Sequence, residues 1–179
     1  MLAWFVEKLL RRQERQLGEP LNYLRKLYRL SPAAFWKFGA IGPLANHRKA
    51  APAAEYYVAR LTSARKAGCR ECMNSVAALA RRENVPEEII EAALNRPEDL
   101  PARLALVRHF AEAVIDDAPA VNELRSEVAR SLGDAALVDL AFAVIVGQAF
   151  PILKRGIGHT APEIAAEGRR SGSLAPTEA

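Results

Sequence analysis

Apolar residues recur at helical spacing along nearly the whole chain, and no run alternates as a half-buried strand does. A first helix is predicted over residues 2–17, with Leu2, Phe5, Val6, Leu9 and Leu10 on one face. Gly18 ends it, and Pro20 opens a second helix carrying Leu21, Leu24, Leu27 and Tyr28. Ser31-Pro32 joins an N-cap residue to a proline at the first helical position, so a third helix starts there and runs to about Phe38. The stretch GAIGPLANHRKAAP reads as a connector. A helix over about 54–67 is closed by Gly68, which tolerates the positive φ of a helix end. The next begins at two cysteines and stops near Asn84. Pro86 and Pro101 each open another, over about 86–95 and 101–117, and one more covers about 120–132. The expected class is all-α, a multi-helix array in a single domain.

The segment 135–153, AALVDLAFAVIVGQAFPIL, is apolar on all sides. It reaches membrane-spanning length, but Asp139, Gly147, Gln148 and Pro151 favour a buried core or subunit-contact helix. Such a helix is hard to bury within one small monomer, so a homo-oligomer is expected. From about Ala161 the chain turns small and polar, and a loose tail is expected there.

With 179 residues, half of them hydrophobic, the chain can bury a core unaided. Its net charge of +4 conceals an asymmetry. Residues 1–70 hold 14 Lys/Arg against 4 Asp/Glu, whereas residues 71–179 hold 11 against 17. The basic residues are spread along helical faces with no aromatic-interleaved stripe, so nucleic acid is not an expected partner. Arg11, Arg12 and Arg15 beside an apolar face would suit an anionic membrane, but packing on the chain's own fold or a neighbouring subunit is favoured. Trp4, Trp36 and Tyr56 are expected in a core or interface. MLAWFVEKLLRR sets its apolar residues before its charges, unlike a secretion leader, so the expected compartment is the reducing cytoplasm.

Cys69 and Cys72, in AGCRECMNSV, are the only cysteines. They fall in the first turn of a predicted helix, where free N–H groups and the helix dipole stabilise a thiolate. Such sites lower a cysteine pKa from about 8.5 towards neutrality. Two intervening residues let one sulfur attack a mixed disulfide or sulfenic acid on the other. Arg70 adds a positive charge that Glu71 offsets. The alternative is that both are small hydrophobes with no chemistry. Zinc fits poorly, because it takes about four ligands and His47, His109 and His159 lie at no ligand spacing from the pair. No haem, flavin or nucleotide motif appears, and no cofactor is expected.

Residues 55–94, EYYVARLTSARKAGCRECMNSVAALARRENVPEEIIEAAL, run from a helix ending in Gly-Cys through Cys-x-x-Cys and an Ala-rich helix to a short break and an acidic helix. This resembles the core of the alkylhydroperoxidase/carboxymuconolactone decarboxylase (AhpD-like) superfamily. FAEAVIDDAPAVNELRSEVARSLGDAALVDLAFAVIVGQAF is similar to the family's two following helices, and the resemblance covers about residues 32–158. It implies a basic helical extension over 1–31, an AhpD-like core over 32–160 and a flexible tail over 161–179. It also implies an oligomer and peroxidase chemistry, with Cys72 attacking a hydroperoxide and Cys69 resolving the product. A thiol reductant, which the sequence does not name, would then regenerate the pair.

The family's peroxidases carry E-x11-C-x-x-C-x-x-x-H, whose Glu and His relay protons. Here Tyr57 stands at the Glu position and Val76 at the His position. Valine moves no protons, and tyrosine, with a pKa near 10, is a poor base at neutral pH. Tyr57 shares a helical face with Leu61, Ala64 and Gly68, so it remains a possible accessory residue, as does His109 on another helix. Glu55 is expected to face away, and His47 and His159 to be solvated. The expectation is thiol–disulfide redox activity of peroxidase type, on a hydroperoxide or disulfide substrate, weakened by the missing relay. The rival is a catalytically silent oligomeric scaffold or binding module, possibly membrane-peripheral. Lactone decarboxylation is weaker still, since no histidine or carboxylate set supports it.

Overall fold

A computed structural model describes residues 2–159, and within them the chain is all-helical. The helices are α1 (Leu2–Leu17), α2 (Asn22–Leu30), α3 (Pro32–Gly39), α4 (Ile41–Ala45) and α5 (Ala53–Lys66). They continue with α6 (Arg70–Arg82), α7 (Glu87–Asn95), α8 (Ala102–Asp116), α9 (Val121–Leu132) and α10 (Asp134–Gly156). The punctuation follows the sequence closely. Ser31 caps α3 by accepting the Ala34 N–H at 3.2 Å, and Gly18 and Gly68 leave their helices at φ +71° and +64°. Three details differ. The connector after α3 contains the short helix α4, α2 starts two residues beyond Pro20, and a 3-10 turn forms at Pro97–Asp99. The expected tail over 161–179 lies outside the described residues.

The centre of the fold is α5, in which every residue from Glu55 to Ala64 is buried. α6, α7, α8 and α10 pack around it, which is why it shows little amphipathic pattern. It meets α10 closest at Ser63 and Gly147. A Cβ on Gly147 would stand 2.4 Å from the Ser63 Cβ, a distance that non-bonded carbons do not tolerate. The Ser63 hydroxyl donates to the Val144 carbonyl at 2.8 Å, and the Gln148 amide donates to the Ser63 carbonyl at 2.8 Å. The two helices are therefore bolted as well as packed.

Asp139 explains how α10 carries a carboxylate in an apolar segment. Its buried Oδ2 accepts the backbone N–H groups of Lys49, Ala50 and Ala51 at 2.7–2.8 Å, tying the loop before α5 to α10. Burial alone would raise its pKa, but the three N–H bonds and neighbouring His47 outweigh it and hold the carboxyl below its usual range. His47 is half-exposed, with its Nε2 3.4 Å from Asp139 and its ring against Phe142.

The basic N-terminal helices lie on the chain's own fold. Val6, Leu10, Leu21, Leu24 and Leu27 join Phe35 in a second apolar cluster, packed against Phe150, Leu153 and Ile157 at the end of α10. Arg25 clasps Glu7 and Glu14 of α1 from α2. Its hydrogen bonds, with those of Arg11, draw the Glu7 pKa down to about 2. Tyr56 is a core residue as expected, but Trp4 and Trp36 are exposed at 69% and 42%. α10 also keeps an exposed stripe of Val138, Ile145 and Ile152, spaced seven residues apart along one face.

Replacing Asp139 by alanine strands three N–H groups, and at neutral pH should cost about 3 kcal/mol or more in chemical denaturation. Because the folded pKa is depressed, the native contribution is complete above about pH 4 and is lost as pH falls through the folded value. The stability gap between Asp139→Ala and the parent should therefore shrink as the solution is acidified.

Candidate active site

α5 and α6 form a tight hairpin whose turn is Ala67-Gly68. The positive φ of Gly68 sends the chain back so that Cys69 lands at the N-cap of α6. An N-cap side chain accepts one of the unpaired N–H groups of the first turn. Here a sulfur does so, taking the Cys72 N–H at 3.3 Å. Cys69 and Cys72 are joined as a disulfide with Cα atoms 5.2 Å apart, within the reach of about 7 Å that such a bond allows. Cys72 is buried and Cys69 half-buried.

The charged surroundings of the pair come from the far end of the chain. Lys154, two turns beyond Gly147 on α10, is buried with its Nζ 3.9 Å from the Cys69 Sγ. It bonds Glu71 Oε2 at 2.6 Å and stands 4.7 Å from the centre of the Tyr23 ring. The same Glu71 oxygen lies 3.7 Å from His159 Nε2, and the His159 and Tyr23 rings are 6.0 Å apart. Burial, followed by the Glu71 charge, pushes the Tyr23 phenol well above its ordinary pKa, so it stays protonated. Arg155 holds this end of α10 in place by donating to the Ala67 carbonyl at 2.8 Å.

Cys72 and Val76 also line a cavity of about 270 Å³. It lies beneath α1–α4, and α5, α6 and α10 form its floor. Among the described residues no three His, Cys, Asp or Glu side chains gather as a metal site. Comparisons with protein-family models, curated proteins and solved structures find no match for this chain.

The other candidates fall elsewhere. Tyr57 is buried in the main core against Tyr56, with Arg60, Glu83 and Arg48 as its charged neighbours. Glu83 ends α6, so Tyr57 sits at the opposite end of the hairpin from the cysteines. Its phenol is pushed up chiefly by burial. His109 is exposed on α8 beside Arg108 and makes no contact with the pair. Glu55 faces α8, paired with Arg103 at 2.6 Å. His159, expected in solvent, is instead part of the cluster, and Glu71 pairs with Lys154. Tyr23 and Lys154 were not foreseen at all. The one sequence signal for Lys154 was a cation closing the apolar run AFPIL.

These contacts set a signed expectation for the reduced protein. Lys154→Met should raise the Cys69 pKa, because a nearby cation favours the thiolate. Glu71→Gln should lower it by releasing the ammonium from its partner. Ultraviolet thiolate absorbance against pH reads both shifts, and Lys154→Arg should leave the parent profile nearly intact.

Proposed function

We propose that this chain is a thiol–disulfide oxidoreductase of the AhpD-like peroxidase type, reducing hydroperoxides at Cys72 with Cys69 as the resolving thiol. The carrying observation is the division of labour within the pair: Cys72 opens on the cavity, and Cys69 has both the N-cap bond and Lys154. In the proposed cycle the Cys72 thiolate attacks the outer peroxide oxygen. The O–O bond breaks, leaving Cys72 sulfenic acid and an alkoxide that takes a proton to become the alcohol. The Cys69 thiolate then attacks the Cys72 sulfur, forming the disulfide as hydroxide leaves and is protonated to water. A dithiol reductant returns two electrons and two protons, entering at the more exposed Cys69.

Proton transfer is the step for which the sequence offered only Tyr57 and His109, and neither lies beside the cysteines. The Tyr23, Glu71, Lys154 and His159 cluster supplies a set of ionisable groups beside Cys69, which supports turnover without the family's Glu/His pair. Tyr23 and Lys154 share the cavity wall with Cys72, but no histidine stands at the Val76 position, so slow chemistry at Cys72 remains part of the reading.

Peroxide consumption with a dithiol reductant tests this. Cys72→Ser should abolish it, and Cys69→Ser, assayed without reductant, should consume one equivalent and stop at the sulfenic acid. Val76→His sets a base one turn from Cys72 on the cavity wall and should raise the rate by about 10²-fold. Tyr57→Glu, buried at the wrong end of the hairpin, should add nothing but instability. If the pair never forms a disulfide in oxidising buffer, the silent scaffold replaces this reading.

We place the activity in a cytoplasmic homo-oligomer joined through the Val138, Ile145 and Ile152 face, because exposed apolar stripes of this kind mark contact surfaces. Light scattering should give a multiple of the 19.6 kDa chain mass, and Ile145→Glu should reduce it to a single chain.

A further inference from the structure

Among the described residues, one buried cation has no counter-charge. Arg60 of α5 is 7% exposed and forms part of the cavity wall. Its Nη1 donates to the Ala45 carbonyl at 3.2 Å, an acceptor that it shares with the Tyr56 hydroxyl at 3.0 Å. Its Nε is buried without any acceptor among the described residues, and the guanidinium also interacts with the Tyr56 hydroxyl. No carboxylate pairs with it there, although Lys154 has Glu71 and the buried Glu55 has Arg103. Burial drives the Arg60 pKa down, so the fold bears a cost in keeping this group inside. Buried charges are ordinarily paired.

The space beside Arg60 is apolar, walled by Leu10, Leu24, Phe35, Phe38, Val76 and Phe150. An apolar cavity of about 150 Å³ accommodates benzene. A volume of about 270 Å³ therefore suits a chain on the order of ten carbons. A guanidinium on that wall offers a single positive charge, which one carboxylate neutralises. A dianion fits less well, since the cavity offers one unpaired cation and carries Glu19 on its lining, bonded to Asn74 at 2.7 Å.

We propose that this cavity binds a medium-chain monocarboxylate, a fatty-acid-type ligand whose carboxylate is held by Arg60 and whose tail lies among the residues beneath α1–α3. Binding itself is independent of the redox chemistry. If the peroxidase reading also holds, the Cys72 wall makes the hydroperoxide of such an acid the substrate class.

Titration calorimetry of the full chain with decanoate, below its micelle threshold, should give one site per chain. Either 1-decanol on the parent or decanoate on Arg60→Met should bind about 10- to 100-fold more weakly, the loss of a charge-assisted hydrogen-bonded pair. Arg60→Met without ligand should melt no lower than the parent, because it removes an unpaired buried charge. Decanoate should raise the melting temperature of the parent only. Equal binding of decanoate and decanol would overturn the proposal, as would full affinity in Arg60→Met or no binding by the parent. If Arg60→Met fails to fold, the comparison of decanoate with decanol on the parent decides alone. A peroxidase assay that fails while decanoate binds would remove the redox reading and leave this site standing.

Discussion

The arrangement of the candidate site depends on the contact between Ser63 and Gly147. Two helices that approach until a glycine is required can neither slide nor rotate past one another. The Ser63 hydroxyl and the Gln148 amide then fix the register with hydrogen bonds. From that point distances along each helix become positions in space. One turn before Ser63 on α5 is Arg60, and six residues after it is Cys69. Eight residues before Gly147 on α10 is Asp139, and seven after it is Lys154. Loop anchor, cavity cation and sulfur neighbour are thus set by one crossing.

The electrostatic design divides into satisfied and unsatisfied charges. Asp139 is taken from water but receives three N–H groups in return, which makes it a joint of the fold. Lys154 is taken from water with Glu71 and an aromatic face beside it, so its charge reaches the sulfur partly neutralised. Arg60 has one shared carbonyl. These differences separate residues whose charges hold the structure from one that no carboxylate pairs among the described residues.

Local rules carried the sequence a long way. Glycines and prolines place the helix ends within about two residues, and the cysteines stand at the first turn that their spacing implied. Two close cysteines after a helix-ending glycine depend only on neighbours in the chain. What the sequence hid was whatever depends on chain-distant packing. Lys154 lies 85 residues from Cys69, and nothing in its own neighbourhood betrays the sulfur. His159 looked like a connector residue because its partner, Glu71, is brought in by α6. Tyr57 erred the other way: sharing a helical face with Gly68 says nothing about the eleven residues of helix axis between them. The connector after α3 concealed α4, because Gly42 and Pro43 read as breakers when one turn suffices to accommodate both.

The cysteine bridge closes a ring of only a few residues. Cross-links stabilise largely by restricting the unfolded chain, and the effect grows with the length of loop that they close. A bridge this short, between adjacent turns that the hairpin already brings together, restrains little that the backbone has not already restrained. Opening it should leave the helices where they are. Such a bond can be broken at little cost to the fold around it, because the helices are held by other contacts.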